Sequence, residues 1–230
     1  MARMRANKTL LRAALGAPDW RGRLEQLTAD APKEFVGPLM SFLVRGGTPA
    51  GRAAAALGAC VAAIARKAPE EARVVMRRFI WHMNEESGNL GWGVPESMAE
   101  TLAHSPLLAR EFSRVLLSYI RDTGREDNFV DHAPLRRSCY WAVGRLLQAG
   151  QELTVNALPL LHAGLQDQDL PCRGMAAWAL AQAGVPEAMR PALEDLAVAA
   201  ESVRISVPVF DGDNARECTV AGLARLALSK

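Results

Sequence analysis

The stretch MNEESGNLGWGVPE at 83–96 gathers groups that could do chemistry. Glu85, Glu86 and Glu96 supply carboxylates and Trp92 an aromatic face. Gly88, Gly91 and Gly93 let the backbone take positive φ, or let another group come close. DTGREDNFVDHAP at 122–134 adds Asp127, Asp131 and His132, and QDQD at 166–169 adds Asp167 and Asp169. Carboxylates beside one imidazole and a tryptophan suit a divalent cation held through oxygens, or a cationic ligand such as an amine or an Arg or Lys side chain. No H-x-x-E-H or D-x-D-x-D-G spacing is present, so neither a metal nor a cofactor is expected. The competing reading is structural. Trp92 would plug the gap between helices, and Glu96 would favour the positive end of the next helix.

Other chemistries lack their residue patterns. There is no G-x-S-x-G, no G-x-x-x-x-G-K phosphate loop and no G-x-G-x-x-G. GNLGWG follows a helix rather than a strand and has acids around it instead of Lys, which argues against cradling a phosphate. Cys60, Cys139, Cys172 and Cys218 are scattered without a C-x-x-C and are expected to be small buried hydrophobes in helices. His82, next to Trp81, reads as a helix-face histidine, and His162 in LLHAGL as a packed one.

The elements that must position these groups are helices. LRRSCYWAVGRLLQAG (135–150) and PCRGMAAWALAQAG (171–184) align at their cores, with Arg136 and Trp141 falling on Arg173 and Trp178, 37 residues apart. Leu135, Cys139, Ala142, Val143 and Leu146 form one apolar stripe of helical period. Cys172, Ala176, Ala179, Leu180 and Ala183 form another, and Ala53, Leu57, Cys60, Val61 and Ile64 a third. Their small residues allow close approach to neighbours on more than one side. A partner helix precedes each inner one: 31–47 before 49–66, 68–83 before 94–105, 105–122 before 135–150, and 157–169 before 171–184. Thr48-Pro49 and Ser105-Pro106 read as helix starts, and Gly46-Gly47, Gly150 and Gly184 as stops.

This pattern resembles HEAT-repeat proteins, in particular the short bacterial PBS-lyase-like repeats. LQDQDLPCRGMAAWALAQAG is the best match, with an acidic turn, Arg in the first turn of the second helix, then Ala-Ala and Ala-Leu. The resemblance implies an all-α, α-α superhelix. A helical cap would occupy 1–30, four helix pairs 31–184, and a β-hairpin with a capping helix 185–230, all in one continuous domain. The hairpin follows from the alternation of Val203, Ile205, Val207 and Val209, the Asp211-Gly212 turn and a return strand at 215–218. In such a fold the turns within pairs emerge along one edge, which would gather Glu85, Glu86, Trp92 and Glu96 with Asp131 and His132.

Charge is unevenly distributed. Residues 1–80 hold 14 Lys/Arg against 6 Asp/Glu, and residues 81–131 hold 4 against 9. A basic N-terminal third would meet an acidic partner or phosphates. The longest apolar run, 53–65, is too short to span a bilayer, and the basic N-terminus lacks an apolar signal core, so a cytoplasmic location away from membranes is expected. With no catalytic spacing, the expectation is a protein-interaction or adaptor module rather than an enzyme. A small-molecule or metal-binding enzyme is one alternative. A HEAT-like DNA glycosylase using Trp81, Glu85, Arg136, Trp141 and Trp178 is another, and the acidity around Trp81, Glu85 and Trp92 argues against it.

Overall fold

A computed structural model describes residues 2–84, 91–125, 128–150, 153–203 and 205–230. Among these, twelve α-helices carry most of the chain, and the only sheet is a two-stranded hairpin. The chain divides into two compact units: Met1–Glu111 with Phe210–Ala215, and Phe112–Val209 with Arg216–Lys230.

The first unit contains α1 (Ala2–Gly16), α2 (Trp20–Thr28), α3 (Pro32–Leu43), α4 (Gly47–Lys67), α5 (Pro69–Met83), α6 (Val94–His104) and the start of α7 (Pro106–Ser118). α4 is its core and packs on α3, α5 and α6. The stripe Ala53, Leu57, Cys60, Val61 and Ile64 is buried throughout. α4 can lie close to α6 because Gly58 has no side chain: a Cβ there would sit 2.4 Å from Glu100 Cβ and 2.7 Å from the Thr101 amide nitrogen. α3, α5 and α7 begin with Pro32, Pro69 and Pro106, spaced 37 residues apart. Proline suits this position, where its fixed φ matches the helix and no N–H is lost. Ion pairs join these three helices near their starts, Lys33 Nζ to Glu71 Oε1 at 2.8 Å and Arg73 Nε to Glu111 Oε2 at 2.7 Å.

α4 differs from its sequence reading. It starts at Gly47 rather than after a Thr48 cap, because Gly46 (φ +68°) and Gly47 (φ +59°) make the break themselves. The Thr48 hydroxyl instead accepts the Ala215 N–H at 3.0 Å. The resulting helix has 21 residues and is long and apolar enough, by length and composition, to cross a membrane; most of it is buried within this unit. Residues 210–215 complete the unit. Trp20, 2 % exposed, donates from Nε1 to Asp213 Oδ1 at 2.7 Å. Arg52 donates to the carbonyls of Leu15 (2.8 Å) and Ala17 (3.1 Å), left over at the end of α1, and to the Asp213 carbonyl (3.0 Å).

The second unit contains α8 (Ala133–Gln148), α9 (Thr154–Gly164), α10 (Leu170–Ala183), α11 (Arg190–Ala199) and α12 (Val220–Leu228). α10 is central and packs on α8, α9 and α12, while α11 packs on α12. Trp141 and Trp178 stack with centroids 5.9 Å apart and planes 5° from parallel, and both are buried. Gly144 lies against Trp178 and Ala179, and Gly174 against Val220, so small residues again set the helix spacing. The strands β1 (Ser206–Phe210) and β2 (Ala215–Thr219) are joined by a tight turn in which Asp211 Oδ1 accepts the N–H groups of Asp213 and Asn214. β1 is shorter than the alternation suggested. Val207, Val209 and Phe210 are buried, and Val203 lies outside the strand, 38 % exposed. Thr219 caps α12, its hydroxyl accepting the Gly222 N–H at 3.1 Å.

Close packing at these glycines gives a test. Gly→Ala in a helix interior normally gains about 1 kcal/mol of propensity. Gly22→Ala, whose added Cβ would meet nothing within 4 Å, should show that gain. Gly58→Ala and Gly144→Ala should instead lose roughly 1–3 kcal/mol, since backbone must move. Urea denaturation of the three variants checks it.

Candidate functional site

The turn before α6 shows what two of its glycines do. Gly93 takes φ +71°, and a Cβ there would fall 2.8 Å from Leu43 Cβ, so α3 packs directly on this backbone. Gly91 sits equally close to the end of α5: its Cβ would lie 3.0 Å from the His82 carbonyl oxygen and 3.1 Å from Met83 Sδ. Trp92, held between them, is 38 % exposed and does not serve as a buried plug. Glu96 lies in the first turn of α6, half-buried, where its charge meets the positive end of the helix. Glu85, Glu86, Gly88 and Asn89 lie outside the described residues.

Asp131 and His132 belong to the second unit, where His132 is the N-cap position of α8 and both side chains are exposed. Their backbone is fixed by Arg136. This guanidinium, 6 % exposed, donates to the carbonyls of Val130 (2.7 Å) and Asp131 (2.8 Å) and grips both carboxylate oxygens of Asp167, at 2.7 and 2.8 Å. It also lies 5.0 Å from the Phe129 ring centroid. Asp167 receives the Tyr140 hydroxyl at 3.3 Å and the Asp169 N–H at 2.9 Å as well. Arg137 makes a second two-pronged pair, with Asp169, at 3.0 and 3.1 Å. Asp169 in turn caps α10 by accepting the Cys172 N–H at 2.9 Å. His132 and Asp169 thus hold the same place before α8 and α10, again 37 residues apart. Arg173 reaches back to the Asp167 carbonyl at 2.5 Å, as Arg136 does to Val130.

The structure therefore treats the sequence-derived site residues unequally. Trp92 and Glu96 share one turn of the first unit, and Asp131 and His132 one turn of the second. Asp167 and Asp169 are committed to arginines and to a helix cap. A carboxylate bonded by a guanidinium and neighbouring N–H groups has little left for a ligand. Among the described residues no three His, Cys, Asp or Glu side chains are grouped to hold a metal. Burial pushes the Cys60 thiol up to about 11, and burial followed by the Asp167 charge raises Cys172 as well, so both stay protonated at neutral pH. Two residue readings change. His162 is exposed near the end of α9, on the side away from buried Leu161 and Leu165, and Cys218 is half-exposed on β2 rather than buried in a helix. Arg136, Trp141 and Trp178 are all buried, whereas Trp81 is 60 % exposed.

The chain gives no significant match to any protein-family model, to the curated proteins or to the solved structures. The likeness to HEAT-like repeats accordingly stands on the register of residues alone.

Burial raises the Asp169 carboxyl, but the bonds from Arg137 and Cys172 outweigh it and hold the group below its usual range. Its stabilising effect should be complete above the unfolded carboxylate pKa of about 3.9 and lost as pH falls through the lower folded value. Wild type should exceed Asp169→Ala by about 1 kcal/mol or more near neutrality, the worth of a cap. The difference should shrink towards zero in acid, as followed by urea midpoints from pH 7 to pH 2.

Proposed function

We propose that this chain is a HEAT-like α-solenoid acting as a protein-interaction or adaptor module. The observation that carries the reading is a 37-residue register that recurs at separate places in the chain. It spaces Pro32, Pro69 and Pro106 at the starts of α3, α5 and α7, and sets His132, Arg136 and Trp141 against Asp169, Arg173 and Trp178 in α8 and α10. Stacked pairs of this kind bury a continuous core and present an extended surface suited to partners. The charged groups of the α8 and α10 turns support the same reading, because they bond to one another instead of converging on an open pocket. The excess of Lys/Arg in residues 1–80 favours an acidic partner. Buried thiols outside any disulfide, at Cys60, Cys139 and Cys172, suit a reducing compartment, in keeping with a cytoplasmic location.

The base-excision reading has less support, since an enzyme of that kind must offer its aromatic and cationic groups to a flipped base, and Arg136, Trp141 and Trp178 are enclosed. The turn residues Glu85, Glu86, Trp92 and Glu96, and separately Asp131 and His132, remain proposed ligand- or partner-binding residues.

A partner captured by the wild-type chain and purified with it allows a direct test. Glu85→Gln and Glu86→Gln should leave the melting temperature within a few degrees of wild type while weakening that partner at least about tenfold. Trp92→Ala should cost less than the roughly 3–5 kcal/mol of a buried Trp, because the ring is partly exposed. If both Gln variants melt far below wild type and the partner's affinity is unchanged per folded molecule, the loop is scaffold and the site reading is wrong.

A further inference from the structure

The outer face of α5 is built unlike an ordinary solvated helix face. Val74, Arg77, Arg78 and Trp81 fall at i, i+3, i+4 and i+7 and so line one side of the helix. All four are exposed, Val74 by 57 % and Trp81 by 60 %, while Ala72, Met76 and Phe79 on the opposite side are completely buried. Neither the core nor helix formation requires a tryptophan on the solvent side.

Among the described residues, the acids at the start of α5 and Glu111 of α7 are already engaged. Glu70 is bonded by Arg73 at 2.6 Å, Glu71 by Lys33 at 2.8 Å and Glu111 by Arg73 at 2.7 Å. Among the described residues no carboxylate pairs with Arg77 or Arg78. Among the described residues, the face therefore carries two guanidinium groups without a paired carboxylate within one turn of an exposed indole. α3 extends the patch, since the Lys33–Glu71 pair sets it in register with α5. Val44, 65 % exposed, and Arg45 stand 37 residues before Trp81 and His82, at the matching end of α3. Arg45 lies 4.9 Å from the Phe42 ring centroid, which holds its charge at that end.

We propose that Val44, Arg45, Val74, Arg77, Arg78 and Trp81 form a docking surface for an acidic, amphipathic peptide segment of a partner protein. This rests on the interaction-module reading above and adds to it the surface and the partner's chemistry. Aspartate or glutamate side chains would pair with Arg77 and Arg78, and an aliphatic or aromatic side chain would pack on Trp81 between the two valines. Trp and Arg are the residue types that dominate binding energy at interfaces. Single-stranded nucleic acid fits less well. It needs successive stacking platforms along a cationic track, and here the face offers a single indole, edge-on to His82 at 5.2 Å.

The test uses the full chain and a fluorescein-labelled, helix-forming peptide with Leu on one face and Glu beside it, followed by anisotropy. Saturable binding should fall at least about tenfold in Trp81→Ala and in the double variant Arg77→Glu/Arg78→Glu. Melting temperatures should stay near that of wild type, because these side chains are exposed. A Gln-for-Glu peptide should bind weakly, and added salt should weaken the Glu peptide. Absence of peptide binding up to high micromolar concentration overturns the proposal. So does binding that ignores the α5 variants. If that binding is instead lost in Glu85→Gln and Glu86→Gln, the loop-edge reading survives without this surface. Tighter binding of an oligothymidylate that is lost in the same α5 variants would make the partner a nucleic acid and overturn the peptide assignment.

Discussion

A single buried cation organises the second unit. Arg136 cannot be solvated where it sits, so its N–H groups must find acceptors inside the protein. It finds two carbonyls in the turn before α8 and both oxygens of Asp167 in the turn before α10. One side chain thereby fixes two turns and the distance between their helices. Everything around it follows from that constraint. Asp169 is held where it can cap α10, Tyr140 is drawn onto Asp167, and Trp141 comes to stack on Trp178. The first unit solves the same spacing problem on its outer layer with exposed ion pairs, Lys33–Glu71 and Arg73–Glu111, and between α4 and α6 by omitting a side chain at Gly58.

These contacts separate residues that hold the fold from residues left for recognition. Asp167 and Asp169 resemble site carboxylates by type and position, yet their oxygens are taken by arginines and backbone N–H groups. Asp131 and His132 are exposed beside the network that binds the Asp131 backbone. Trp92 is pinned at its glycine neighbours but partly open at its ring. Trp81 contributes nothing to the core and sits beside two arginines. Surface of the latter kind, with exposed aromatic and Arg side chains, is of the composition enriched at protein interfaces.

Much of the helical layout is legible in the sequence because small-residue stripes of helical period and Pro or Gly punctuation are local signals. Arg136 and Trp141 against Arg173 and Trp178 reveal the register, and burial and stacking of both tryptophans agree with it. The spacing of Pro32, Pro69 and Pro106 carries the same period and is easily overlooked, because the helices that follow share little else. The partners of charged side chains are not legible: that Arg136 would take Asp167 while Asp131 gives only its carbonyl depends on a turn geometry set by residues from two helices. The start of α4 was misplaced because Thr48-Pro49 is a strong local signal, overridden by two glycines at positive φ just before it. The exposure of Trp81 was equally hidden, since the residues of α5 do not say which of its faces meets α4.

The central claim is that the charged groups of the α8 and α10 turns hold neighbouring helices in register. A double-mutant cycle on Arg136→Met and Asp167→Leu, measured by urea denaturation, tests it most directly. Each single change leaves a buried charge without its partner and should cost roughly 3–5 kcal/mol, whereas the double change should cost about 2–3 kcal/mol less than the sum of the two singles. Single costs below about 0.5 kcal/mol that simply add would mean that the pair is incidental, and the account of how these helices are held would fail.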